Sequence, residues 1–146
     1  MNERALRIAI AVFAVLGLAI AGYLTYIHYA ELNPVCVGGG QACEKVQSSS
    51  ASKLAGIPVA VLGLVGYAGI LLSAGIRGEA GRLLGALLAI SGLAFSLYLT
   101  YQELFVIHAV CQWCVASAVI MAILSVLTAM RVLAAPALAP AAPQSA

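Results

Sequence analysis

Apolar positions fall in four long blocks separated by short polar stretches, at 8–27, 56–76, 83–106 and 111–133. About 20 apolar residues are needed for a helix to cross roughly 30 Å of hydrocarbon, and each block meets that length. Inside a bilayer every backbone N–H and C=O must be bonded within the protein, so such blocks fold as helices or as a closed barrel. The apolar/polar alternation of a barrel strand is absent. The pattern predicts an all-α integral membrane protein, a four-transmembrane-helix bundle formed by residues 1–133. Its longest polar stretch, 33–53, is too short for a soluble domain. Residues 134–146, with Pro136, Pro140 and Pro143 among alanines, are expected to be a disordered cytoplasmic tail.

Composition agrees: 64% of residues are hydrophobic and 8% charged, and the mean hydropathy is +1.08. Soluble domains carry about 25% charged residues. A net charge of +2 lacks the basic footprint of a nucleic-acid binder. Arg4 and Arg7 precede the first span, Arg77 and Arg82 join the second to the third, and Arg131 ends the fourth. The positive-inside rule then puts both termini in the cytoplasm and the 33–53 loop and the 107–110 turn outside, in the plasma (inner) membrane. A cleaved signal peptide ending near Ala19-Ile20-Ala21 is disfavoured, because the apolar run continues to Ile27.

This arrangement gives the four cysteines their meaning. Cys36 and Cys43 flank a Gly-rich segment in the first exoplasmic loop, and Cys111-Gln112-Trp113-Cys114 opens the last span. Both pairs lie on the exoplasmic side, where disulfides form and persist. Two dithiols on one membrane face point to an electron relay, one pair meeting a protein partner and the other the lipid phase. Cys111 and Cys114 are one helical turn apart, close enough for a disulfide. A helix beginning there would favour a thiolate through its unpaired N–H groups and dipole. Val37-Gly38-Gly39-Gly40-Gln41-Ala42 would let the first pair move between partner and CxxC, as thiol–disulfide exchange through mixed disulfides requires. Residues 44–50 are expected to form a short amphipathic helix capping the pocket beneath.

Cys36, Cys43, the serines that follow, and a CxxC opening the last of four spans together resemble the vitamin K epoxide reductase family. The form is that of its bacterial homologues, which oxidise exported thioredoxin-like proteins and pass the electrons to a membrane quinone. The resemblance implies that Cys36 exchanges with the partner's dithiol, Cys43 passes electrons to Cys111, and Cys114 faces and reduces the quinone. It places Ser49, flanked by Ser48 and Ser50, near the quinone. A pocket tyrosine of the animal enzymes is replaced by Ala118, which favours a simple quinone acceptor over vitamin K epoxide. The quinone would be ubiquinone, menaquinone or phylloquinone. Some bacterial members carry a fused thioredoxin-like domain; this sequence ends without one, so a separate exported thioredoxin-like or DsbA-like partner is expected. Epoxide reduction is the alternative within the family, and a non-catalytic membrane scaffold with two structural disulfides is the alternative outside it.

Other residues receive plainer readings. Tyr23-Leu24-Thr25-Tyr26 recurs as Tyr98-Leu99-Thr100-Tyr101, each followed at the same distance by a cysteine, as an old duplication would leave it. The four tyrosines, Trp113, His28 and His108 fit membrane-interface positions. Zinc binding by the four cysteines is disfavoured by their loose spacing. Gly17, Gly22, Gly63, Gly66, Gly69 and Gly92 fit helix-packing faces. Glu103, an ionisable group at the edge of a span beside the CxxC, is the candidate for proton handling.

Overall fold

A computed structural model of the chain describes residues 2–30, 53–54 and 56–138. Helix α1 (Glu3–Tyr29) is followed by a two-stranded antiparallel hairpin of β1 (Lys53–Leu54) and β2 (Ile57–Pro58). Helices α2 (Val59–Gly75) and α3 (Glu79–Tyr101) come next, α3 running on as a π-helical turn (Gln102–Ile107), and α4 (Gln112–Leu138) ends the described chain. Each helix packs on its neighbours in the order α1–α2–α3–α4, and α4 closes the ring against α1.

Local chemistry sets the element ends. Asn2 caps α1, its Oδ1 accepting the Ala5 N–H at 2.8 Å. The second helix starts at Val59, where the apolar run predicts 56. Gly56 has φ +83°, turning the hairpin, and Pro58 serves as the cap of α2. Proline keeps the residue before it extended, so helix cannot reach further back. The third helix starts at Glu79, ahead of the expected 83, with an acidic side chain at the positive end of its dipole. The last helix continues through Pro136 to Leu138, so the first residues of the expected tail are helical. Alanine's high helix propensity sustains that final turn, and Pro136 removes only one backbone donor near its end.

The distribution of side chains is inverted relative to a soluble protein. Large apolar residues such as Leu16, Val65, Leu72, Leu87, Leu97 and Val126 are exposed, whereas Ser73, Glu103, Ser125, Thr128 and Arg131 are buried. A bundle with apolar flanks and polar groups turned inward suits hydrocarbon as solvent. Among the described residues α1, α3 with its π turn, and α4 are long and apolar enough to cross a membrane; α2 is a shorter apolar helix of 17 residues. At 1.5 Å per residue α2 is about 26 Å long, at the lower end of membrane-spanning length.

The core runs along a narrow stripe of α1, Leu6, Ile10, Ala14, Gly17, Ala21, Leu24 and Ile27. Its three- and four-residue spacing is that of a left-handed helix seam. At Gly17 the ring of Tyr67 lies where a Cβ would be, so glycine is required for this approach of α1 and α2. The arginines gather at the opposite end from the CxxC. Arg7 donates to the carbonyls of Ala74 and Gly75 at 2.6 and 3.3 Å. Arg131 donates to those of Ser73 and Ile76 at 3.2 and 3.1 Å. Arg131 also pairs with Glu3 at 2.8 Å. Two guanidinium groups thus bond the carbonyls at the end of α2, where helical partners run out.

Candidate functional site

The four helices line a cavity of about 150 Å³. Its wall is mainly apolar, from Ala21 and Leu24 of α1, Leu62 of α2, and Leu88, Phe95 and Leu99 of α3. Gly63, Gly66 and Gly92 also line it. The sequence reading takes these three as packing glycines, but a Cβ on Gly66 would meet nothing within 4 Å. There the missing side chain opens space. Gly17 and Gly69, by contrast, do lie against neighbouring side chains, those of Tyr67 and Leu88.

At the end away from the arginines stand Cys114 and Glu103, with Cys111 packed beside Cys114. Cys111 precedes the first residue of α4, and its carbonyl accepts the Val115 N–H at 3.0 Å, which makes it the cap residue of that helix. Cys111 is fully buried, packed against Ile107, Ala109 and Trp113. Cys114, one turn on, is half-buried and lines the cavity. Its thiol lies within hydrogen-bonding reach of both Cys111 and the Glu103 carboxyl.

The chain between Glu103 and Cys111 is built around the glutamate. After Tyr101 the helix widens into the π turn, a geometry that recurs at functional sites. His108 then takes the left-handed conformation, φ 57°, and the Ala109 N–H returns to the Glu103 carbonyl at 3.1 Å. Two residues later the Cys111 N–H donates to Glu103 Oε2 at 3.1 Å. Glu103 therefore closes α3 with its backbone and caps α4 with its side chain. Its charge sits at the positive end of the α4 dipole, so the helix terminus serves the carboxylate as well as the thiols. Only 4% of Glu103 is exposed, yet it lines the cavity beside Cys114.

One turn deeper, the cavity has a second polar station. Ser117 lies on the same face of α4 as Cys114 and Met121, at the three- and four-residue spacing of a helix. The Tyr67 hydroxyl donates to the Ser117 carbonyl at 2.9 Å and shares a hydrogen bond with Ser117 Oγ at 2.7 Å. Neither residue was singled out from the sequence. A signal was there for Tyr67: of six tyrosines, it alone lies in the middle of an apolar block, far from either interface.

Of the expected site residues, the structure brings Cys111 and Cys114 together, with Cys114 on the cavity wall. Cys36, Cys43, Ser49 and the expected capping helix at 44–50 lie outside the described residues. Ala118 is not among the lining residues. At about 100° per residue it is rotated off the Cys114–Ser117–Met121 face, and Ser117 holds the pocket position instead. Trp113 does more than anchor at an interface: it packs on Cys111 and against Tyr23 of α1, ring centroids 5.0 Å apart at 49°. The two threonines of the repeated tetrapeptide behave alike. Thr25 and Thr100 each donate to the carbonyl four residues back, at 2.7 and 2.9 Å.

A cysteine pair at a helix start, one buried and one half-buried, a carboxylate against it and an apolar cavity below make up the site. The model of the vitamin K epoxide reductase family matches residues 8–129, and the chain belongs to that family. Its members are membrane-associated, quinone-linked oxidoreductases. The match takes in all four cysteines, Glu103 and every residue that lines the cavity.

Proposed function

We propose that the protein is a thiol:quinone oxidoreductase that reoxidises an exported thioredoxin-like or DsbA-like partner and delivers the electrons to a membrane quinone. In this reading all four helices cross the membrane, with the arginine-rich end cytoplasmic and the CxxC at the exoplasmic face. The observation that carries it is the position of Cys114, on the wall of a mainly apolar cavity and in reach of Cys111. A relay pair has to meet both another dithiol and an apolar acceptor, and Cys114 is the half that faces the acceptor.

The cavity residues fit a quinone. Leucine, alanine and glycine surfaces suit a flat apolar ring, and the few convergent polar groups sit at two depths, as in sites that orient a small ligand. The bound quinone supplies a two-electron acceptor; the chain supplies the thiols, the exclusion of water and the hydrogen-bonding groups. The relay begins when the partner's dithiol reduces the Cys36–Cys43 disulfide by exchange. The Cys43 thiolate then attacks the Cys111–Cys114 disulfide at Cys111, and Cys114 leaves as a thiolate. Cys36 attacks the Cys43–Cys111 bridge, restoring the loop disulfide and leaving Cys111 and Cys114 reduced. That dithiol gives two electrons and two protons to the quinone and closes again.

Complementation tests the proposal. Expression with a DsbA-like protein in a bacterium lacking its own DsbA-reoxidising membrane enzyme should restore disulfide formation in exported proteins. A Cys114→Ala variant present at the same level should not. Restoration by that variant, or none by the unaltered chain, would contradict the reading.

A further inference from the structure

Glu103 is placed where a structural cap would not need to be a carboxylate. Capping α4 calls for one hydrogen-bond acceptor at the Cys111 N–H, which an amide or hydroxyl side chain provides. An ionisable side chain within a membrane segment is costly and is found where it has work to do. Here Glu103 is 4% exposed, its carboxyl lies within hydrogen-bond reach of the Cys114 side chain, and the residue forms part of the cavity wall. Proton transfer needs a group within hydrogen-bond reach of the donor, and Glu103 meets that condition. The π turn and the left-handed His108 hold it there, since both Ala109 and Cys111 bond back to Glu103.

We propose that Glu103 is a catalytic residue of the Cys111–Cys114 pair, taking the proton from the Cys114 thiol as that sulfur gives up its electrons and passing it to the quinone oxygen. The inference rests on the quinone-reductase reading above. The step balances: two S–H bonds break and one S–S bond forms, while two carbonyl oxygens of the quinone each gain a proton and the ring gains two electrons. Cys114 loses the first proton to Glu103. Once the carboxylate is free again, it takes the second proton, from Cys111, whose backbone it already holds.

The test uses the full chain in detergent with a short-chain ubiquinone and dithiothreitol as reductant, comparing Glu103→Gln and Glu103→Ala with the unaltered protein. Glutamine keeps an oxygen for the Cys111 N–H but cannot take a proton. The account expects both variants to lose about 100-fold or more in single-turnover quinone reduction, within the range found for acid–base residues. Glutamine should preserve the thermal midpoint. A glutamine variant with the normal rate makes Glu103 a cap and overturns the proposal. A second readout needs no quinone and no variant that folds: infrared difference spectra of the unaltered protein between its disulfide and dithiol forms. A carboxyl signal should accompany opening of the pair, and should be missing wherever Glu103→Gln can be prepared. Its absence from the unaltered protein overturns the proposal. If the unaltered protein fails to reduce quinone while the carboxyl signal is present, the quinone reading falls, and the thiol–carboxyl proton exchange stands.

Discussion

Replacing Arg131 by methionine removes the side chain that ties three helix ends together. Arg131 is 1% exposed and makes three bonds, to Glu3 Oε1 at 2.8 Å and to the carbonyls of Ser73 and Ile76 at 3.2 and 3.1 Å. Breaking a fully buried ion pair by deleting one partner costs about 3–5 kcal/mol, because the other charge is left uncompensated. Two facts lower that figure here. The Glu3 side chain is 28% exposed and can recover some hydration, and hydrogen bonds between membrane helices average only about 0.6 kcal/mol each. A loss of about 2–3 kcal/mol remains, nearly all from the stranded carboxylate. For a chain of this size that is a fall of roughly 5–10 °C in thermal midpoint, measured in detergent by the release of buried cysteine to a thiol-reactive dye. Removing the stranded charge as well should restore more than half of it, so Arg131→Met with Glu3→Gln should be more stable than Arg131→Met alone. A single variant within about 2 °C of the unaltered protein would mean a pair worth under 1 kcal/mol. Either that or a double variant no better than the single would refute the reasoning.

Other outcomes follow from the same contacts. Tyr67→Phe removes the hydroxyl that bonds Ser117. It should leave the fold intact at a cost of about 1 kcal/mol and raise the quinone concentration needed for half-maximal rate several-fold in a steady-state assay. Gly17→Ala pushes a methyl into the rigid Tyr67 ring. It should lower the thermal midpoint by the equivalent of about 1–3 kcal/mol. Gly92→Ala meets only the flexible end of Met121, at 2.8 Å, and should be tolerated. Cys36→Ser removes the thiol that resolves the Cys43–Cys111 bridge, so it should halt the relay at that exchange and accumulate the bridge, visible by non-reducing peptide mass spectrometry.

The four apolar helices were legible because blocks of about 20 apolar residues have few uses other than a long apolar helix. Their ends were less so. Composition counts Gly56, Ile57 and Pro58 as apolar, while backbone geometry assigns them to a hairpin. The thiol end of the site could be read from the spacing of Cys111 and Cys114, and Glu103 from being a charge at the edge of a span. The π turn that makes Glu103 reach both sulfur and backbone leaves no mark in hydropathy. Tyr67 and Ser117 escaped because the apolar pattern does not mark which polar side chains of a long apolar block turn inward. Their pairing joins helices far apart in sequence. Ala118 came from a resemblance, and the helical rotation that sets which side chain faces the cavity has to be seen in the bundle.

The central claim is that electrons leave a protein dithiol through Cys114 to a quinone. The direct measurement is quinone reduction by the purified protein in lipid vesicles, supplied with ubiquinone or menaquinone and a reduced DsbA-like protein. Absorbance should show one quinol formed for each partner disulfide, and none with Cys114→Ala. Partner oxidation without quinol, or quinol formation that survives the loss of Cys114, would contradict it.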